Sequence, residues 1–255
     1  MKISILQLDT FWHDKQKNLD VVERMVSQNT GSDIYVLPEM FATGFSNEVE
    51  KLGEPIDGMI VSQMKKIASQ NNVAICGSLI LEDGGKYYNS FLFVKPEGGI
   101  VRYDKRHLFR FGGEADMFSA GENRVVVDYK GFRILLQVCY DLRFPVWSRN
   151  HNDYDMIFYI ANWPDSRRKV FDTLVKARAI ENQAFVVAVN RVGTDGADLN
   201  YDGGSCFVDF KGEYIRQCAD NKECVQTADL NLEDLKAFRE KFPAWRDADD
   251  FTIND

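Results

Sequence analysis

Three segments of this chain share a layout in which an apolar strand runs directly into a residue able to do chemistry. They are Ile34-Tyr-Val-Leu-Pro-Glu39, Ile100-Val-Arg-Tyr-Asp-Lys105 and Ile134-Leu-Leu-Gln-Val-Cys139. In layered α/β folds ligands sit at strand ends, where the backbone is rigid and the loops diverge. Each residue alone also has an ordinary structural explanation. A Glu after Pro caps or solvates, a Lys in a polar segment is a surface charge, and a Cys after an apolar run is core.

Taken together the three have a mechanism. A thiol of ordinary pKa is only a few per cent ionised at neutral pH, so a nucleophilic Cys139 needs a base or a positive neighbour. Glu39 can take the proton and Lys105 can favour the anion. The same ammonium, with the backbone N–H of Tyr140, can hold the oxyanion of a tetrahedral intermediate. This is acyl transfer without histidine. A Cys–His pair is the competitor, and His107, two residues from Lys105, stays open as a base; His13 and His151 lie in polar stretches and read as surface residues.

The elements that must position these groups follow from periodicity and breakers. Ile3–Leu8 and Ile34–Leu37 read as strands with a helical pattern through Leu19, Val22 and Val26 between them. Met59, Met64, Ile67 and Ala68 mark one face of a second helix, followed by a strand at Val73–Leu81. Turn residues flank a strand at Tyr88–Val94, and Val125–Asp128 with Phe132–Val138 reads as a hairpin. Then come strand Met156–Ala161, helix Val170–Gln183, strand Phe185–Asn190, a meander over Ser205–Asp209, Tyr214–Gln217 and Cys224–Ala228, and helix Leu232–Lys241. The tail Asp247–Asp255 is acidic and reads as loose. This alternation predicts one layered α/β domain over residues 1–255 with mixed sheets, either two facing each other or one large one. No internal repeat of fixed period is visible.

Composition narrows the function classes. The 255 residues carry 31 Lys+Arg against 39 Asp+Glu, a net charge of −8 that argues against a nucleic-acid or anionic-membrane partner. The hydrophobic share of 45% and charged share of 27% fit a folded domain rather than a disordered chain. The first residues lack a signal-peptide pattern and no run of 18 apolar residues occurs, so the expectation is a cytoplasmic protein that begins at Met1. Five cysteines, odd in number and without a CxxC pair, argue against both a disulfide framework and a zinc site.

The segments LPEMFATGF (Leu37–Phe45), YDKRHLF (Tyr103–Phe109), VCYDLRFPVWSRN (Val138–Asn150), ANWP (Ala161–Pro164), ARAIENQAFV (Ala177–Val186), NRVG (Asn190–Gly193) and EKFPAWRDADDF (Glu240–Phe251) resemble the nitrilase superfamily of carbon-nitrogen hydrolases. Within it, CYDLRFP with the FPAWRDAD stretch is most similar to bacterial omega-amidases that act on 2-oxoglutaramate. The resemblance implies a four-layer αββα sandwich, commonly paired into a homodimer, and a small-molecule amide as substrate. It implies Glu39 as general base, Lys105 as oxyanion stabiliser and Cys139 as nucleophile, with no metal or organic cofactor. A second glutamate falls at Glu114 within FGGEADMF, with Glu122 as the alternative. Arg143 stands where similar omega-amidases grip the distal carboxylate, a task that suits a bidentate guanidinium, the alternative being a structural salt bridge. Trp163 and Phe41 are candidate pocket walls, each equally well explained by packing. Arg178 and Glu181, three apart on a helix, read as an ion pair.

Overall fold

The computed structural model describes residues 1–253, so the last two residues of the acidic tail lie outside the description. Strands β1 (Lys2–Gln7), β2 (Ile34–Val36), β3 (Ala74–Asp83), β4 (Lys86–Val94) and β5 (Ile100–Asp104) form the first half of the chain. Strands β6 (Val126–Tyr129), β7 (Phe132–Val138), β8 (Met156–Ile160), β9 (Phe185–Val189), β10 (Val192–Thr194) and β11 (Asn200–Asp202) follow. The series ends with β12 (Cys206–Val208), β13 (Tyr214–Gln217) and β14 (Cys224–Asp229). They make two six-stranded mixed sheets, ordered β14-β1-β2-β3-β4-β5 and β13-β12-β9-β8-β7-β6, with β10 and β11 as a separate two-stranded hairpin.

Both large sheets carry one pattern of strand directions. In the first, β1, β2 and β3 are parallel, β14 is antiparallel on one side and β4–β5 on the other. In the second, β7, β8 and β9 are parallel, flanked by antiparallel β6 and by β12–β13. The two sheets thus share one pattern of strand directions with different connections, and the sequence has no visible period.

Parallel strands need cover on both faces, and MIFYI of β8 and FVVAV of β9 are apolar throughout. Alternate side chains divide the burial between two faces. Ile3, Ile5, Val36, Phe91 and Phe93 of the first sheet meet Ile134, Leu136, Phe158, Ile160 and Val187 of the second in a core between the sheets. Leu6, Tyr35, Ile75 and Leu92 face outward against Leu19 and Val22 of helix Lys15–Gln28 and Met64 and Ile67 of helix Met59–Asn71. On the far side Leu135, Ile157, Tyr159 and Val186 pack on Phe171, Val175 and Ala179 of helix Arg168–Asn182. The result is the expected four layers, helix, sheet, sheet, helix.

Two sequence expectations change. Met59 is 43% exposed because it occupies the first turn of its helix, and Ile60 and Val61 take the inward positions instead. The β10–β11 hairpin was not anticipated at all. Helix Leu232–Lys241 forms as expected, its first turn capped by Asn231 accepting from the Glu233 N–H. Among the described residues no helix is long and apolar enough to cross a membrane.

Candidate active site

The polar centre forms just beyond the ends of parallel strands of both sheets. Glu39 lies past β2, Cys139 directly follows β7, Asn162 lies past β8, and Lys105 directly follows β5 at the sheet's edge. Residues separated by tens of positions thereby meet at the mouth between the two layers.

Lys105 is 1% exposed, and Glu39 and Glu114 are fully buried. The Lys105 Nζ donates to Glu39 Oε1 at 2.9 Å and to Glu114 Oε2 at 2.8 Å. Asn89 Nδ2, reaching in from β4, donates to Glu39 Oε1 at 2.8 Å and to Glu114 Oε1 at 2.9 Å. The backbone N–H of Asn162 donates to Glu39 Oε2 at 2.8 Å, and Asn162 Nδ2 to the Glu39 carbonyl at 2.6 Å. Every carboxylate oxygen of this buried cluster is therefore held, the condition under which buried charge is tolerable. Burial alone would lower the Lys105 pKa, but the charges of Glu114 and Glu39 outweigh it and keep the ammonium protonated. Burial pushes the Glu114 carboxyl up against the pull of Lys105.

Cys139 has φ +45°, the left-handed region that an L side chain enters at a cost of about 1–2 kcal/mol. Asp141 compensates. Its Oδ2 accepts from the Val138 N–H at 2.9 Å and the Tyr103 hydroxyl at 2.7 Å, and its Oδ1 accepts from the His107 N–H at 3.1 Å. Arg178 adds a second brace, donating from Nε and Nη2 to the Leu142 carbonyl at 3.1 and 2.6 Å as well as to Glu181. Arg178 is thus more than half of an ion pair, since it ties the turn after the cysteine to the outer helix. Burial raises the Cys139 thiol well above its ordinary value, the negative charge of Glu39 raises it further, and Lys105 only partly opposes them. Lys105 favours the anion as expected, but with one ammonium between two carboxylates it is outweighed, and the surroundings favour a thiol at rest.

Cys139, Lys105 and Tyr140 line a cavity of about 440 Å³, together with the aromatic rings of Trp12, Phe45, Phe109, Trp163 and Tyr201. Gly44, at φ +77°, lets Trp12 close one side, because a Cβ there would lie 2.9 Å from the indole Cε3. Arg143 lines the same cavity with its guanidinium 5.1 Å from the Trp163 ring centre, so of the two walls named from sequence Trp163 stands in place. Phe41 does not. It is fully buried in the outer core, packed with Leu37 against the position of Gly77, and Phe45 supplies the aromatic wall. The tight turn at Met40, φ +43°, sends Phe41 inward. Of the two glutamates, Glu114 is in the cluster and Glu122 is exposed. His107 pairs through Nδ1 with Asp141 at 2.8 Å and stacks on Phe144 at 3.8 Å, which places it behind the cysteine turn rather than on the cavity wall.

Sequence reasoning missed Asn89, Asn162, Arg167 and the hairpin that brings Asp195, Leu199 and Tyr201 to the cavity. Asn89 left a readable trace. It stands in register with Phe91 and Phe93 on the face of β4 that turns inward, and a polar side chain in a buried apolar register demands a partner.

The αββα sandwich thus sets the Cys139 sulfur and the Lys105 ammonium on the wall of one cavity, with the Glu39 carboxylate bonded to Lys105 behind it. The chain belongs to the carbon-nitrogen hydrolase family, whose profile matches residues 2–240. It is 45% identical over 253 residues to the omega-amidase YafV of Escherichia coli (strain K12), covering 99% of this chain and 98% of that protein. It is 31% identical to the 2-oxoglutaramate amidase of Bacillus subtilis (strain 168), covering 96% of each. In structure it is similar to XC1258 from Xanthomonas campestris, a CN-hydrolase superfamily protein with an arsenic adduct in its active site. The two superpose with a TM-score of 0.97 at 41% identity, over 100% of this chain and 99% of the other.

Proposed function

We propose that this chain is an omega-amidase that hydrolyses the terminal amide of 2-oxoglutaramate or a similar dicarboxylic acid monoamide. One observation carries the reading: Cys139, Lys105 and Arg143 line the same small cavity, and Glu39 is bonded to Lys105 behind it. The relatives called omega-amidase and 2-oxoglutaramate amidase support it.

The thiol is protonated at rest, so its proton leaves as the sulfur attacks the amide carbon, and Glu39 is the acceptor. Lys105 and the Tyr140 N–H hold the oxyanion. Glu39 returns the proton to the leaving nitrogen, ammonia departs, and a thioester remains. Water, activated by Glu39 with Glu114 fixing the lysine, releases the acid. Arg143 holds the distal carboxylate, and Trp163 orients that guanidinium by lying beneath it. The proposal extends to a homodimer and to a cytoplasmic location, in keeping with cysteines that are all free among the described residues.

The test is ammonia release across 2-oxoglutaramate, 2-oxosuccinamate, glutamine, asparagine and a simple nitrile, with mass spectrometry of Cys139 under turnover. The expected result is preference for the 2-oxo amides, a substrate adduct on Cys139, and no turnover in Cys139→Ala. Full turnover in that variant defeats the covalent route, and flat activity over the panel defeats the substrate assignment.

A further inference from the structure

Arg167 lines the same cavity as Arg143, and nothing in the proposed reaction uses it. Neither guanidinium has an ion-pair or side-chain hydrogen-bond partner among the described residues; each instead lies over an aromatic ring, Arg143 over Trp163 at 5.1 Å and Arg167 over Phe109 at 5.3 Å. The contrast with the next residue is sharp. Arg168 is met by three carboxylates, Asp172 at 2.8 Å, Asp202 at 3.1 Å and Asp220 at 3.0 Å. The fold supplies acids to the arginine that turns away and none to the one that faces the cavity.

Arg167 is also held in register with the catalytic cluster. Its carbonyl accepts from the Trp163 indole Nε1–H at 2.9 Å, and the backbone N–H of Phe109 beneath its guanidinium donates to Glu114 Oε2 at 2.6 Å. The carboxylate that fixes Lys105 therefore also fixes the ring on which Arg167 rests. Trp163, beneath Arg143, is pinned by the Asn190 side chain through both its N–H and its carbonyl, at 2.8 and 2.9 Å.

Two planar cations facing one cavity call for more acceptor oxygens than a lone carboxylate presents at one edge. A 2-oxo acid offers three in a row, two on the carboxylate and one on the adjacent ketone. The acids that share the wall are already engaged. Asp195 accepts from the Ala197 and Leu199 N–H groups and the Tyr201 hydroxyl, and Glu48 is paired with Lys51. An ammonium at carbon 2 would face two guanidiniums with no free carboxylate to meet it. We infer that Arg167 is a specificity residue that reads the 2-oxo group, so that with Arg143 it selects 2-oxo acid amides over the corresponding 2-amino acids. This inference rests on the omega-amidase reading.

The test compares three substrates that differ only at carbon 2: 2-oxoglutaramate, glutaric acid monoamide and glutamine. Relative kcat/KM is measured by ammonia release in the wild type, Arg167→Gln and Arg167→Lys. The wild type is expected to favour the 2-oxo substrate over both others. Arg167→Gln is expected to lose at least tenfold on 2-oxoglutaramate, chiefly through KM, and less than threefold on glutaric acid monoamide; Arg167→Lys recovers part of the loss. A selective wild type whose preference is unchanged in Arg167→Gln, including an equal loss on both substrates, overturns the inference and leaves the substrate reading intact. A wild type indifferent to the group at carbon 2 overturns both.

Discussion

Glu114 meets the ammonium of Lys105 with both carboxylate oxygens, Oε2 at 2.8 Å and Oε1 at 3.1 Å, and no solvent reaches either side chain. The pair anchors more than itself, because Glu114 also accepts from Asn89 and from the Phe109 N–H. Breaking a buried pair leaves an uncompensated charge and costs about 3–5 kcal/mol.

Glu114→Gln replaces one oxygen by an NH2 that faces the Lys105 ammonium and a second donor, either Asn89 Nδ2 or the Phe109 N–H, so it cannot accept from all three donors as the carboxylate does. Stability is expected to fall by about 3 kcal/mol, read as a lower urea midpoint at unchanged slope. Because Lys105 then leans on Glu39 alone, kcat is expected to fall more than KM rises. An unchanged midpoint would mean that the second carboxylate does not hold the buried ammonium in place.

The exchange of Phe41 for Phe45 gives a second expectation. Phe41→Ala empties a packed site in the outer core and is expected to cost about 3–5 kcal/mol with little change in KM at temperatures where the variant stays folded. Phe45→Ala, on the cavity wall, is expected to raise KM instead. Thermal unfolding and steady-state kinetics of the two variants separate these cases, and a large KM effect from Phe41→Ala contradicts the placement.

Why one of these two phenylalanines was misread shows where sequence reasoning ends. The placement of Glu39, Lys105 and Cys139 beyond strand ends was legible because each follows an apolar run, and strand ends are set by local pattern. Strand Tyr214–Gln217 and helix Leu232–Lys241 fall where periodicity and breakers put them. Phe41 and Phe45 lie in the same loop, and which one turns to the cavity depends on the backbone sign at Met40, φ +43°, which no side-chain pattern encodes. The β10–β11 hairpin has strands of three residues each, too short to alternate visibly. The shared pattern of strand directions was hidden because the connections of the two sheets differ, β14 joining the first sheet from the far end of the chain, and a fixed period requires both.

Asp155 supplies a pH expectation away from the cavity. It ties the C-terminal helix to the second sheet, accepting from Arg239 Nη1 at 3.2 Å and from Arg133 Nη2 at 2.7 Å. Burial alone would raise its pKa, but the hydrogen bonds and charge of Arg133, with the charge of Arg239, hold it below the ordinary carboxylate value. A depressed folded pKa stabilises fully above the unfolded value of about 3.9 and less as pH falls through the folded one. The wild type is therefore expected to lose stability below about pH 4, while Asp155→Asn, weaker at neutral pH by about 2 kcal/mol after allowing for solvent at Arg133, falls less steeply. Urea midpoints from pH 7 to pH 2 make the comparison; parallel curves refute the linkage.

The positive φ of Cys139 sets up the last test, which separates strain from chemistry. Both Cys139→Ala and Cys139→Gly remove the sulfur and are expected to be inactive. Glycine ordinarily costs about 0.5–1 kcal/mol relative to alanine through the entropy of the unfolded chain. At φ +45° alanine keeps the Cβ that strains the left-handed backbone, and glycine does not. The usual order should therefore close or invert, with Cys139→Gly at least as stable as Cys139→Ala in urea unfolding. If glycine is the less stable by the ordinary margin, the turn after β7 carries no strain and the hydrogen bonds of Asp141 are not compensating for any. If it is not, the site holds Cys139 in a conformation that the protein stabilises through Asp141 and Arg178, and Asp141→Asn should then weaken the wild type more than the glycine variant.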